Sequence, residues 1–412
     1  MGTNPINAGD TAWVLTSSAL VLLMTAPALA LFYGGMVRRK NVLGILMQCF
    51  ICLALISVLW VVYGYSLAFG KGNALVGGLD WFMLKGVGQD ANADYAATIP
   101  HLAFMIFQAM FAVITPALII GSYAERMKFS AFLLFTTLWL TLVYCPIAHM
   151  VWGVGGFVRN LGALDFAGGT VVHMNAGIAG LVTALFLGKR LGTDKPGMHN
   201  VPLIVIGASL LWFGWFGFNA GSALGANGLA AHAFVTTNTA TAMAVLSWCL
   251  LEWIFAGKPT TVGAASGAVA GLVAITPACG FVDIGGSLWI GALVSAFCYF
   301  MVAYVKPRLG YDDTLDAFGV HFIGGLWGAL AVGVFATKLV NSAGADGLLL
   351  GNPAQLMNQV YACGITIAYT GIVTAIICFV VDKTIGMRVS QEDEVVGLDL
   401  TQHHERAYTI LE

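Results

Sequence analysis

The sequence predicts an all-α polytopic membrane protein with eleven transmembrane helices, and two observations lead to that prediction. Of the 412 residues, 59% are hydrophobic and only 9% are charged, against about 25% charged in a typical soluble domain. Apolar stretches recur along the whole chain, and many are long enough to cross a hydrocarbon core, which takes about 20 helical residues. Stretches of this length fit membrane helices and not the strands of a barrel.

Hydropathy places the spans between short segments that hold nearly all the charge. The predicted spans are residues 11–34, 42–69, 101–122, 130–150, 166–188, 201–219, 229–257, 260–279, 287–305, 314–336 and 357–381. The first apolar run is too long for a secretory leader and has no basic residue before it, so we expect it to be retained as a helix.

Beyond the last span the chain turns polar and acidic. This change predicts a transmembrane domain over residues 1–381 and a solvated cytoplasmic tail over residues 382–412. A docking or regulatory element is one interpretation of the tail, and a flexible end without a role is the other.

Lysine and arginine are unevenly divided between the two sets of alternate loops. Because cytoplasmic loops carry an excess of both residues, the division predicts an N-terminus outside and a C-terminus inside the inner (plasma) membrane. One set of loops, with the tail, holds fourteen of the 18 basic residues: Arg38, Arg39, Lys40, Arg126, Lys128, Lys189, Arg190, Lys195, Lys258, Lys306, Arg308, Lys383, Arg388 and Arg406. The other set holds Lys71, Lys85, Arg159 and Lys338.

The fifth and tenth spans share a pattern in which a histidine, His173 or His321, is followed by glycines four and seven residues later. An acid precedes each histidine, Asp165 by eight residues and Asp316 by five. Five spans, an odd number, separate the two copies, so the halves must face opposite ways across the bilayer, as in the inverted repeats of many transporters.

The repeat pattern therefore predicts five plus five helices and one additional helix. The first repeat is expected over about residues 11–188 and the second over about residues 201–336, with the extra helix at 357–381. Binding sites in such folds lie near the membrane midplane, where the two repeats meet.

The two midplane histidines are candidates for a conduction path. A polar side chain in lipid is costly and usually functional, although a histidine bonded to a neighbouring helix is the alternative interpretation. Adjacent neutral imidazoles could share a proton and relay one from a passing cation. A metal would need a third ligand, and no Cys, Asp or Glu lies at ligand spacing beside His173 or His321, so we predict no metal and no cofactor.

Side chains at the predicted outer side suit a small cation. Asp165 precedes the fifth span, where a carboxylate caps a helix and also favours cations near a mouth; capping alone would equally explain it. Trp152 and the segment from Phe218 to Ser222 lie on the same side. An aromatic face can hold a desolvated cation with about 2 kcal/mol, whereas packing or interface anchoring is the alternative role for such rings.

Two other classes of protein are excluded. No dense run of basic residues exists to cover a phosphate backbone, so nucleic acid is not an expected partner. Neither a nucleophile–base–orienter set nor a phosphate-binding loop is found, which predicts that the chain is not an enzyme.

Five motifs match a known family. They are Tyr33-Gly-Gly35, the segment Asp165-Phe-Ala-Gly-Gly-Thr-Val-Val-His173, the segment from Gly214 to Ser222, Thr276-Pro-Ala-Cys-Gly280 and Phe318-Gly-Val-His321. The chain resembles a bacterial ammonium transporter of the Amt/Mep/Rh family, from its first span into its tail.

The resemblance implies a homotrimer whose subunits each have eleven helices and a pore. It also implies specific roles for individual residues. Trp152, Phe111 and Ser222 would form an outer recruitment site, with Phe107 and Thr276 nearby; Phe111 and Phe218 would form a hydrophobic gate; His173 and His321 would be twin histidines of the pore; and Asp165 would support the outer site. In many bacteria the cytoplasmic partner is a trimeric PII-type signalling protein.

We therefore expect ammonium or methylammonium to be captured outside and deprotonated at or below the gate, and ammonia to cross the pore, with net transfer of a proton or charge. An unpaired ion at the bilayer centre costs several kcal/mol, whereas neutral ammonia needs only one or two hydrogen-bond partners. Two alternatives stay open, an ammonium sensor that signals through its tail and a passive ammonia gas channel.

Overall fold

The computed structural model describes residues 6–192 and 197–408. Within these residues, ten helices are long and apolar enough to cross a membrane, and one shorter apolar helix accompanies them. They are α1 (Ala8–Met36), α2 (Arg39–Phe69), α3 (His101–Tyr123), α4 (Phe129–Asn160), α5 (Gly169–Leu187), α6 (Val201–Gly221), α7 (Gly228–Ala256), the shorter α8 (Thr261–Ile275), α9 (Ile284–Leu309), α10 (Phe318–Phe335) and α11 (Pro353–Ile385).

Each predicted span falls on one of these helices, and the predicted class of a polytopic helical membrane protein is confirmed. The helix ends differ from the predicted ones where a local signal sets them. Helix α11 begins at Pro353 and ends at Ile385, before Gly386 with its positive φ of 71°, because proline suits the first turn and glycine the residue after the last. Helix α8 ends at Ile275, and hydrogen-bonded turns follow over 276–281.

Helices α5 and α10 cross at the centre of the bundle through reciprocal contacts. A Cβ added to Gly177 would lie 2.5 Å from the backbone nitrogen of Phe322, and one added to Gly325 would lie 3.1 Å from that of Met174. Phe322 and Met174 each directly follow the histidine of their helix. Small residues let helix backbones approach closely, and this contact, made in both directions, is the one that an inverted repeat produces.

Helix α11 lies outside the repeat and packs against α4, α5 and α10. Its polar side chains make the connections: the Thr370 hydroxyl donates to Asn175 Oδ1 of α5 at 2.8 Å, and the indole nitrogen of Trp139 in α4 donates to the Thr374 hydroxyl at 3.2 Å. These two hydrogen bonds pair polar groups of neighbouring helices and so join α11 to α4 and α5.

The two ends of the bundle are distinguished by what covers them. At one, called the Trp152 end, a small antiparallel sheet of β1 (Ala91–Asn92) and β2 (Ala96–Pro100) precedes α3. The backbone nitrogen of Asn7 donates to the Thr98 carbonyl at 2.8 Å, so the start of α1 lies there too. The opposite end, called the tail end, is covered by α12 (Gln391–Val396) and α13 (Leu398–His403).

The predicted tail is docked rather than free within residues 386–408, although it is partly solvated, since Glu392 and Leu400 are exposed. Glu394 and Asp399 are buried, because they serve as hydrogen-bond acceptors for the membrane domain. Asp399 Oδ1 accepts from the backbone nitrogen of Gly44 at 2.9 Å, and Asn41 Oδ1 accepts from that of Leu398 at 2.9 Å. The acidic pattern of this segment thus reflects docking onto the tail end.

Candidate functional site

Asp165 holds the start of α5. Its Oδ1 accepts from the backbone nitrogens of Gly168 at 2.8 Å and Gly169 at 2.6 Å, and its Oδ2 accepts from the backbone nitrogen of Thr170 at 2.8 Å and from the Thr170 hydroxyl. These bonds satisfy amides that a helix start leaves without partners. Burial raises the pKa of Asp165, and the hydrogen bonds from Thr170, Gly169 and Gly168 offset part of that shift.

The same residue also positions Trp152. The indole nitrogen of Trp152 donates to the backbone carbonyl of Asp165 at 2.9 Å. The capping residue of α5 is therefore bonded directly to the aromatic ring of Trp152, in helix α4. The predicted capping role of Asp165 is accompanied by a second role, which is the placement of this ring.

Three aromatic rings surround that of Phe111. Its ring centroid lies 5.0 Å from that of Phe107, 5.9 Å from that of Trp152 with the planes at 88°, and 4.2 Å from that of Phe218 with the planes at 31°. Phe107, Phe111 and Phe218 are fully buried, whereas Trp152 is half-buried. The structure thus brings these four predicted residues together, with Phe111 and Phe218 in contact below the half-buried indole.

Ser222 lies beside this cluster at the end of α6. Its hydroxyl donates to the Phe218 carbonyl at 2.8 Å, and a Cβ added to the preceding Gly221 would lie 2.9 Å from Cε2 of Phe107. The hydroxyl oxygen keeps lone pairs free to accept from a ligand. The predicted recruitment site would therefore add one hydroxyl acceptor to the aromatic faces.

Thr276 has a different setting from the one expected beside the outer site. Its hydroxyl donates to the Leu272 carbonyl at 2.8 Å and accepts from the indole nitrogen of Trp215 at 2.8 Å. The Trp215 ring in turn lies 5.3 Å from that of His173, with the planes at 18°, and 5.5 Å from that of Phe218. Thr276 thus orients an aromatic wall of the histidine region.

Sequence reasoning missed Trp215. The residue lies inside the motif from Gly214 to Ser222. Aromatic residues are abundant in membrane helices, however, so a single tryptophan does not indicate a site. A signal did exist, because a buried indole N–H needs a partner and Thr276 belongs to another of the matching motifs.

His173 and His321 lie at the crossing of α5 and α10. Their ring centroids are 5.4 Å apart, with the planes at 12°, and both side chains are buried. Both ring nitrogens of His173 and Nδ1 of His321 have no hydrogen-bond partner within residues 6–192 and 197–408. Buried polar atoms without partners are rare and costly, so the pair is suited to a small ligand that both donates and accepts hydrogen bonds.

The histidine pair lies between the aromatic cluster and a cavity at the tail end. The Phe218 ring lies 6.0 Å from that of His173. On the far side of the pair, His321 lines a cavity of about 270 Å³, whose wall also includes Tyr33, Arg190 and Asp316. Phe218, the two imidazoles and this cavity therefore follow one another from the Trp152 end towards the tail end.

Comparison of the chain with known proteins identifies its family. A family model described as Ammonium Transporter Family matches residues 12–408. The chain belongs to the ammonium transporter family.

Individual relatives agree with this membership. The chain is 54% identical over 400 residues to a protein of Bacillus subtilis (strain 168) named ammonium transporter, with 97% of this chain and 98% of that protein covered. The crystal structure of Candida albicans Mep2 has a TM-score of 0.90 at 36% identity and covers 99% and 92% of the two chains. A structure described as a sensor Amt protein has a TM-score of 0.87 at 26% identity, with 96% and 98% covered.

The tail end of this ammonium transporter family member has its own capping acid, and it is Asp313. Asp313 lies eight residues before His321, the same spacing as Asp165 to His173. Its Oδ2 accepts from the backbone nitrogens of Phe318 at 2.8 Å and Gly319 at 3.4 Å, at the start of α10. Burial raises the pKa of Asp313 to about 6, and the neighbouring Asp316 adds to the shift.

Asp316, the acid noted before His321 in the repeat pattern, therefore does not occupy the position equivalent to that of Asp165. Asp316 forms an ion pair with Lys306, with 2.5 Å between Oδ1 and Nζ. The equal spacing of eight residues was the available signal, and choosing the nearest acid before His321 overlooked it.

An ionic network borders the cavity at the tail end of this family member. The buried Glu125 carboxylate pairs with Arg38 at 2.7 Å and with Arg190 at 3.0 Å, and Arg190 pairs with Asp312 at 2.9 Å. Burial alone would raise the pKa of Glu125, but the hydrogen bond from Arg38 and the charges of Arg190 and Arg38 outweigh it and lower that pKa.

The tail is joined to the same region. Glu394 of α12 accepts from the backbone nitrogen of Leu191 at 2.5 Å and pairs with Arg388 at 2.9 Å. Leu191, Arg190 and Arg38 all line the 270 Å³ cavity. The cavity wall is thus bonded to the tail.

Proposed function

We propose that this multi-pass membrane protein takes up ammonium across the plasma membrane, with the Trp152 end outside and the tail end in the cytoplasm. Membership of the family and the likeness to Mep2 support ammonium transport. The charge bias of the loops supports the orientation. The observation that carries the mechanism is the set of three buried imidazole nitrogens without partners at His173 and His321.

Capture begins at the outer recruitment site. A monovalent cation placed against the indole of Trp152 and the ring of Phe111 is attracted by the aromatic faces, by about 2 kcal/mol where water is excluded. The Ser222 hydroxyl supplies an acceptor for one N–H. Ammonium has four N–H donors and potassium has none, so a hydroxyl acceptor and aromatic rings, without a ring of carbonyls, favour ammonium.

The contact between Phe111 and Phe218 closes the path below the recruitment site, and the rings must separate to admit a substrate. The proton leaves at or below this gate, because an unpaired ion deeper in the bilayer is penalised by several kcal/mol. Ammonia then moves past the twin histidines. A neutral imidazole offers one donor and one acceptor, and ammonia, with one lone pair and three N–H groups, complements both.

We also propose that the released proton passes along the two imidazoles, so that transport moves net charge. Their close and nearly parallel arrangement supports a relay through the substrate or a water between the ring nitrogens. A passive gas channel, the closest alternative, would take up substrate without a current.

A sensor is the second candidate function. The likeness to a structure described as a sensor Amt protein and the bonds between the tail and the cavity wall at Leu191 favour it. A sensor without transport would bind ammonium and change the protection of its tail, yet it would show no uptake of methylammonium.

The assembly that we propose is a homotrimer in the lipid bilayer, with a PII-type signalling protein docking at the cytoplasmic tail end. Many large apolar side chains are exposed on this single chain, including Phe213, Trp253 and Trp289, which supports burial by lipid or by other subunits. The relatives are named as transporters, which supports the prediction that the chain is not an enzyme. Native mass spectrometry of the detergent-purified protein would show three copies.

Electrical recording on purified protein in liposomes tests the mechanism. Ammonium gradients should drive currents that equal potassium gradients do not, and His173→Leu and His321→Leu should abolish them. His232→Leu is the matched control, because the Nε2 of His232 lies 2.8 Å from the Val282 carbonyl and the residue belongs to neither the aromatic cluster nor the histidine pair. Unchanged currents in both pore variants would overturn the relay, whereas methylammonium uptake without current would support the gas channel.

A further inference from the structure

Gln359, in the helix outside the repeat, holds both backbone groups of Leu164. The side chain is buried in α11. Its Oε1 accepts from the backbone nitrogen of Leu164 at 2.7 Å, and its Nε2 donates to the Leu164 carbonyl at 2.8 Å and to the Ala329 carbonyl of α10 at 2.9 Å. The side-chain amide of Gln359 thus pairs with the N–H and the carbonyl of one loop residue, as a strand backbone does in a sheet. The same amide also joins this loop to α10.

A second glutamine one turn earlier extends this hold. The Nε2 of Gln355 donates to the Gly162 carbonyl at 3.1 Å and to Oε1 of Gln359 at 3.2 Å. The two glutamines lie four residues apart on one face of α11, and together they fix residues 162 and 164. Every polar atom of the Gln359 amide is used, which gives the loop one defined position.

The bound loop leads directly to the outer site. Leu164 precedes Asp165, whose carboxylate caps α5 and whose carbonyl accepts from Trp152. A displacement of Leu164 would therefore move both the Trp152 ring and the first turn of the helix that carries His173.

The opposite end of the repeat is held in another way. There the guanidinium of Arg126 donates to the Asp312 carbonyl at 2.6 Å and to the Thr314 hydroxyl at 2.6 Å. Arg126 follows α3 of the first repeat, whereas Gln359 belongs to neither repeat. The loop before α5 is thus held by a glutamine of the eleventh helix, and the loop before α10 is held by a buried arginine.

We infer that Gln359 is a positioning residue for the outer recruitment site, acting through Leu164 and Asp165 on Trp152. This inference rests on the proposed function for its substrate, but its structural part does not. Loss of the amide should weaken capture more than it slows passage, because the gate and the histidines keep their own contacts.

The test compares Gln359→Met with Thr366→Val in purified protein. Methionine keeps the length and the volume but loses the hydrogen bonds. Thr366 is a matched control, since it is buried two turns later on α11 and its hydroxyl donates only within its own helix, to Ala362 at 2.9 Å.

Hydrogen exchange followed by mass spectrometry, without substrate, should be faster over residues 162–172 in Gln359→Met and unchanged in Thr366→Val. In liposomes, the KM for methylammonium should rise about tenfold in Gln359→Met, the equivalent of one to two net hydrogen bonds, while the maximal rate stays within about twofold. Thr366→Val should leave both parameters unchanged.

An unchanged KM or unchanged exchange in Gln359→Met would overturn the inference. So would a fall in maximal rate alone, which signals a smaller fraction of folded protein. If Gln359→Met does not fold, Gln355→Met should show the same changes at smaller size, and its failure to do so would count equally against the inference. If the unsubstituted protein takes up no methylammonium, the proposed function fails, and the exchange measurement alone then decides the structural part.

Discussion

The ring centroids of Trp215 and His173 lie 5.3 Å apart, with an angle of 18° between the ring planes. The indole nitrogen of Trp215 donates a hydrogen bond to the Thr276 hydroxyl. This tryptophan would therefore form the wall of the proposed pore at its first histidine.

Replacement of Trp215 by leucine should open the wall and admit water beside His173. Since water lowers the barrier to bare ions, we expect a potassium current above background in liposomes and a loss of about 3 kcal/mol of stability. Trp215→Phe is the control, because it keeps an aromatic ring in the wall but loses the hydrogen bond to Thr276. Loss of that bond should lower the free energy of unfolding by about 1 kcal/mol. Unaltered selectivity in Trp215→Leu would contradict the assignment.

Asp313 and Asp316 should respond differently to the loss of charge. Asp313→Asn removes the negative charge at the start of α10 and places an amide N–H group either against the backbone donors of Phe318 and Gly319 or against Ser122, whose hydroxyl can then no longer donate to it, so we expect a loss of about 2 kcal/mol. Asp316 is 32% exposed in its pair with Lys306, and Asp316→Asn should cost under about 1 kcal/mol. Thermal unfolding of the two variants measures the difference, and equal losses would argue against Asp313 as the cap.

The ionic network at Glu125 should make stability depend on pH in one direction. The pKa of Glu125 is lower in the folded state than its usual 4.5, so the unfolded state binds more protons and acid destabilises the fold. The contribution is complete above about pH 4.5 and is lost as the pH falls through the lowered folded value.

The variant Glu125→Gln isolates this contribution. Because Arg38 and Arg190 stay 20% and 16% exposed, we expect a loss of about 2 kcal/mol at pH 7, below the roughly 3–5 kcal/mol of a fully buried pair. Unfolding curves between pH 7 and pH 3 should show the variant and the unsubstituted protein converging in acid. A constant difference across that range would speak against the ionised pair.

The hold of Glu394 on Leu191 should protect the tail from proteolysis. In Glu394→Ala the bonds to Leu191 and Arg388 are lost, so we expect trypsin to cleave after Arg388 several times faster. Glu392→Ala is the control, since Glu392 is exposed on the same short helix. Mass spectrometry of timed digests measures the rates, and identical rates in both variants would show that the tail is held elsewhere.

The helices and the histidine pair could be predicted from the sequence, because hydropathy over a whole span and a repeated histidine with two glycines are strong patterns. The aromatic cluster came from the resemblance, and the structure brings Phe107, Phe111, Trp152 and Phe218 together. Such rings come from three different helices, and no local pattern places them side by side.

The errors have local causes. Glu394 and Asp399 were expected in water because acidic residues usually are. Their carboxylate oxygens instead accept hydrogen bonds from backbone amides of segments that lie far away in sequence. Gln355 and Gln359 did leave a visible signal: two amides four residues apart at the start of a membrane helix are costly in lipid unless they bind something. Their partners could not be named without the fold.

The paired crossing of Gly177 with Phe322 and of Gly325 with Met174 limits how this protein can move. The backbones of α5 and α10 approach closely at these two equivalent points. We therefore expect that one repeat cannot rotate against the other without breaking both contacts. Under the proposed function, passage of substrate would then depend on the swing of individual rings within a fixed frame, so that the two halves would not need to alternate.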